Sequence, residues 1–122
     1  MTLQELYANI GGSYEQALRV LRIERLLDKH IRKLPQNGVI DSLVAAGDTM
    51  DAKALFESAH AAKGICGNLG LTKLAELSSQ VAEEFRPGND RRLTDEQVKE
   101  TIGQIDELYQ KTAEGIRQYA QA

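Results

Sequence analysis

The sequence predicts an all-α protein: an antiparallel four-helix bundle with additional short N-terminal helices. Three observations predict it. Apolar residues recur at three- and four-residue spacings along nearly every long segment. No segment sustains the two-residue alternation of a half-buried strand. Four periodic segments exceed ten residues and are joined by short loops, a pattern that buries its apolar faces best as a bundle. The 122 residues suffice for one hydrophobic core, so a single helical domain over residues 1–122 is expected.

The elements follow in order. Thr2 with Glu5 reads as a capping box for a short helix through Leu6 and Tyr7, broken by Gly11-Gly12. Ser13 with Gln16 repeats that signature before a second helix through Ala17, Leu18 and Leu21. Ile23, Leu26, Leu27, His30 and Leu34 then mark a helix expected to stop before Pro35. The run VIDSLVAAG predicts another short helix closed by Gly47, after which Asp48 is expected to cap the next. That helix carries Leu55, Ala59, Ala62 and Cys66, and Gly70 fits its left-handed stop. Leu71, Leu74, Leu77, Val81 and Phe85 define a helix ending before the loop RPGNDRR. Thr94 with Gln97 forms a third capping box, and Val98, Ile102, Ile105, Tyr109, Thr112, Ile116 and Tyr119 alternate strictly by four and three along the last helix. That stripe reads as bundle core rather than a dimer seam, and a monomer is expected.

Composition narrows the function classes. Fifteen Lys and Arg against eighteen Asp and Glu give a net charge of −3, which argues against a general nucleic-acid binder. No apolar stretch approaches the roughly 20 residues of a membrane span, and no signal peptide is apparent. The single cysteine, Cys66, cannot form an internal disulfide, so a reducing, cytoplasmic setting is expected. It lies on the apolar stripe and reads as a small core residue. His30 shares a stripe with leucines and is expected at the core edge. Two histidines 30 residues apart with one cysteine make no zinc set.

One stretch resists a purely structural reading. In AHAAKGICGNLG, residues 59–70, three glycines fall within seven positions of a helical pattern, although each costs a helix interior about 1 kcal/mol relative to alanine. With about 100° per residue, Lys63, Gly64 and Gly67 lie at about −60°, +40° and −20° from His60, away from Ala59 and Cys66. His60, Lys63, Gly64 and Gly67 therefore share one strip, bare beyond the imidazole and the ammonium. Glycine there clears room for a large partner beside the ring, although Gly67 fits close helix packing equally well. A neutral imidazole is a competent nucleophile, and a lysine one turn away offsets the charge of a transferred phosphoryl group. Phosphoryl transfer asks mainly for such positioning and charge stabilisation.

At these residues the chain resembles the histidine phosphotransfer domain of multistep two-component phosphorelays. The match is His60-x-x-Lys63-Gly64, five further residues to Gly70, and the surrounding GNLG. The resemblance implies a four-helix bundle with His60 exposed midway along one helix. It implies a phosphocarrier without autonomous turnover, in which His60 accepts phosphate from, and donates it to, aspartates on receiver domains of response regulators or hybrid histidine kinases. Lys63 would steady the phosphate, Gly64 and Gly67 would admit the partner, and Gly70 would stop the helix. No metal or nucleotide is implied for this chain, the Mg²⁺ belonging to the receiver. The chain departs from the pattern at Ala61 and Ala62, where a hydroxyl residue and a larger apolar one are common. It departs again at Ala82, 22 positions after the histidine, where some members carry Gln or Glu to orient the ring. Gln80 and Glu83 receive no role. Two other readings are a non-catalytic module that docks response regulators, and the phosphoacceptor part of a larger histidine kinase.

Overall fold

The computed structural model describes residues 1–121. Among them are seven helices: α1 (Leu3–Ile10), α2 (Tyr14–Leu21), α3 (Glu24–Asn37), α4 (Val39–Thr49), α5 (Ala52–Asn68), α6 (Thr72–Glu84) and α7 (Asp95–Gln121). The bundle proper is α4 to α7, packed in the cyclic order α4, α5, α6, α7 and back to α4. The short helices attach to it: α1 and α3 pack on α7, and α2 bridges α3 and α5. No described residue is in a strand.

The helix starts obey the capping chemistry. Thr2 and Glu5 satisfy one another's backbone N–H groups, as do Thr94 and Gln97, while the Ser13 hydroxyl accepts from the Gln16 N–H. The stripe of α7 is buried along its length from Val98 to Tyr119. Leucines and isoleucines from every helix except α2, which contributes Ala17, close the core.

Four expectations need correction. Pro35 lies inside α3, and the helix runs on to Asn37 before Gly38, at φ 81°, ends it. Proline there gives up the bond to the Ile31 carbonyl and crowds it, and only two more helical residues follow. Gly47 does not close α4. It is buried within the helix, where a Cβ would stand 2.9 Å from the Ile102 Cδ1 methyl, so its smallness serves the close approach of α7. The residue that turns left-handed is Met50, at φ 57°. Asp48 consequently belongs to α4, and Asp51 caps α5 by accepting from the Lys53 N–H. His30 is exposed: the buried stripe of α3 is Leu27, Ile31 and Leu34, leaving Ile23 46% and Leu26 37% exposed.

The α5–α6 turn positions the site. The Leu71 N–H donates to the Cys66 carbonyl and the Gly70 N–H to the Gly67 carbonyl, a Schellman closure with Gly70 at φ 70°. The Gly70 carbonyl then accepts from the Ser13 N–H at 2.8 Å, pinning the start of α2 to this turn. From the other side, the Tyr7 hydroxyl donates to the Leu69 carbonyl at 2.6 Å, a buried bond that ties α1 to the same turn.

Candidate functional site

Helix α5 has two faces of opposite character. Leu55, Ala59, Ala62 and Cys66 are fully buried, and burial pushes the Cys66 thiol up to about 12. Opposite them on α6, Ser78 and Ala82 are also buried. Small side chains on both helices let the two axes come close, which holds α5 rigidly from behind. The outer face carries His60, Lys63 and Gly64, all exposed, with Gly67 half-buried.

The two strip glycines have no internal packing role. A Cβ at Gly64 or Gly67 would meet no heavy atom within 4 Å. Close helix packing is therefore not what keeps Gly67 small. Gly70 is different: a Cβ there would collide with the Ser13 carbonyl oxygen and crowd the Ala17 Cβ at 3.1 Å.

Around the imidazole stands a group of residues that the motif alone did not reveal. The Phe56 ring, one turn earlier on α5, stacks on His60 with centroids 5.5 Å apart and planes 21° from parallel. The Arg86 guanidinium carbon lies 5.5 Å from the centre of the Phe56 ring. Arg86 is held by Glu83 through Nη2 at 2.7 Å and Nε at 3.1 Å from Oε1. These bonds hold the Glu83 carboxyl below the usual carboxylate range, with a smaller contribution from the nearby charge of Lys63. Ala82 is buried and offers the ring no polar group, and His60 makes no hydrogen bond with another described residue. Phe56 was legible in principle, since four residues before His60 places it at about −40° on the same strip. Glu83 and Arg86 arrive through the register of α6 against α5, which spacing within one helix does not reveal.

Beyond the strip, α3 contributes a flank. A cleft of about 310 Å³ runs between α2, α3 and the C-terminal half of α5, lined among others by Leu21, His30, Lys33, Ile65 and Asn68. Arg22, Arg25, Lys29 and Lys33 form no ion pair with another described residue, whereas Arg19 pairs with Glu15 and Arg32 with Asp28. Among the described residues no three His, Cys, Asp or Glu side chains gather as a metal site. None of the described helices is long and apolar enough to cross a membrane.

The Hpt domain family matches residues 19–115, well over half of the chain and including both α5, which carries His60, and α6. The chain belongs to the Hpt domain family. No curated protein and no solved structure matches it. Hpt domains are helical phosphocarriers of two-component phosphorelays, and they interact with receiver domains of response regulators. The matched region contains α3 to α6 entire, while α1 and the start of α2 precede it.

Proposed function

We propose that this Hpt domain carries phosphate on His60, taking it from the aspartyl phosphate of one receiver domain and giving it to the aspartate of another. The observation that carries the reading is the exposed imidazole on a rigidly backed helix, beside Lys63 and two glycines with open space around them. A ring nitrogen of His60 attacks phosphorus with its lone pair. The N–P bond forms as the P–O bond to the aspartyl carboxylate breaks, and the carboxylate departs with that electron pair. The other ring nitrogen keeps its proton, and the reverse sequence returns the phosphoryl group. Lys63 offsets the charge on the phosphoryl oxygens, and Mg²⁺ is supplied by the receiver. Gly64 and Gly67 give the receiver's loops room to reach the ring, and Gly70 ends the helix. The chain works as a monomer that turns over nothing alone.

The receiver's seat extends from the strip onto α3. His30 and Lys33 of α3 line the cleft beside Ile65 and Asn68 of α5, and Lys29 and exposed Leu26 lie earlier on the same helix. Lysines without an ion-pair partner among the described residues thus adjoin an apolar contact. Such a surface suits an acidic partner and raises the rate of encounter.

The test is labelling by a phosphorylated receiver. An acid-labile, base-stable label is expected on the natural chain and absent from His60→Gln, while Lys63→Ala keeps the fold and slows transfer roughly tenfold. Equal labelling of His60→Gln overturns the reading. Receiver binding without any label on the natural chain favours the docking module instead.

A further inference from the structure

An imidazole exposed on a helix turns about two side-chain bonds, and transfer requires one nitrogen to face the incoming phosphorus. A hydrogen bond from a neighbouring helix would fix the ring by one of its nitrogens. In this chain Ala82 supplies no such group. What the ring does have is a flat apolar neighbour at 5.5 Å and 21°. That geometry lies within the offset-stacked range for ring pairs. Stacking grips the imidazole by its face and leaves both nitrogens free at its edge, one for phosphorus and one for the proton it retains.

Phe56 is itself held. It is half-buried and packed against the core, and the Arg86 guanidinium sits 5.5 Å from its ring centre. Arg86 is in turn fixed by two hydrogen bonds that it donates to the Glu83 carboxylate. The order of support runs from Glu83 to Arg86, to Phe56, to His60, and each link is a contact between neighbours on α5 and the end of α6. Cation and ring attract through the ring's negative face, so the guanidinium steadies the plane on which the imidazole rests.

We infer that Phe56 is the positioning residue of this site, holding the His60 ring for transfer by stacking where a hydrogen-bonding partner is missing. The inference rests on the phosphocarrier reading. Phe56→Leu keeps an apolar side chain of similar reach but removes the aromatic face, and Phe56→Tyr keeps the face. In the unphosphorylated chain, the His60 ring-proton resonances should carry an upfield shift from the Phe56 ring, lost in Phe56→Leu and kept in Phe56→Tyr. With a phosphorylated receiver as donor, Phe56→Leu should transfer about tenfold more slowly at saturating receiver with its KM little changed, and Phe56→Tyr should recover most of the rate. A folded Phe56→Leu protein that retains either the natural His60 shifts or the natural transfer rate overturns the assignment. If the natural chain takes no phosphate while its His60 shifts are as expected, the phosphocarrier reading fails first, and that failure is recognised because no substitution was needed to produce it.

Discussion

Gly70 and the pair Gly64 and Gly67 lie within seven residues of one another, yet their surroundings are opposite. Around Gly70 the chain is crowded: the backbone is left-handed at φ 70°, and the Ser13 carbonyl and Ala17 press against the missing side chain. A Cβ added at Gly64 or Gly67 would meet no such neighbour within 4 Å. A glycine enclosed by its own chain is explained by the fold. A glycine in open space inside a helix lowers stability and returns nothing to the fold, which is the ground for the proposed use in partner access. Helix α6 repeats the division with two adjacent glutamates. Glu84 is buried and accepts from the Arg91 Nε at 2.8 Å and from the N–H groups of Arg92 and Leu93 at 3.0 and 2.8 Å, closing the α6–α7 loop. Glu83 is exposed and faces the strip through Arg86 and Lys63.

The largest effect is expected at the crowded glycine. Gly70→Ala must accept a left-handed backbone and push Ser13 away, which breaks the Ser13–Gly70 bond and loosens both α2 and the Schellman turn. A loss of about 3 kcal/mol or more is expected, measured as a fall in the urea midpoint. A Gly70→Ala protein of natural stability would erase the distinction between the two kinds of glycine.

The glutamates sharpen it with a smaller effect. Burial pushes the Glu84 carboxyl up, but its bonds from Leu93, Arg91 and Arg92 outweigh that and hold it below the usual carboxylate range. A carboxyl lowered by folding contributes stability that is fully present above its unfolded value of about 4.3 and is lost as pH falls through the lower folded value. Glu84→Gln should therefore cost about 2 kcal/mol near neutral pH and flatten the acid limb of the stability profile. Glu83 is also lowered, by Arg86, but it is exposed and screened, so Glu83→Gln should leave that limb nearly unchanged. Thermal melts across the acid range check both, and equal responses would mean that the two positions are not divided as described.

The same contrast explains what could be read before any coordinates. Local rules were legible: the capping boxes at Thr2 and Thr94, the stripe of α7 and the Gly70 stop each depend on residues within a few positions of one another. At Ser13, by contrast, only the hydroxyl caps, because its N–H is taken by the distant Gly70 carbonyl. The strip was legible too, because angles within a single helix follow from spacing. Residues whose meaning is set by another element were not. Gly47 looked like a stop because nothing in its neighbourhood mentions Ile102, and His30 looked packed because a stripe of leucines does not say which of them the bundle takes. The sequence assigns Phe56 no role, since its bracing by Arg86 depends on how α6 lies against α5.

The smallest effect carries the sharpest test, because its sign is unusual. In open space and with ordinary helical backbone, Gly64→Ala and Gly67→Ala should each stabilise the chain, by about 0.5–1 kcal/mol, through helix propensity and a less disordered unfolded state. The added methyl groups point at no atom of this chain, so the fold gains at both positions. On the proposed reading those methyls obstruct the receiver's approach to His60, so transfer to the double variant should slow while its Tm rises. Stability and function then move in opposite directions at Gly64 and Gly67, whereas at Gly70 they fall together. If the double variant transfers phosphate at the natural rate, the open space beside the imidazole is not what the partner uses. If it melts lower than the natural chain, these glycines answer to the fold after all.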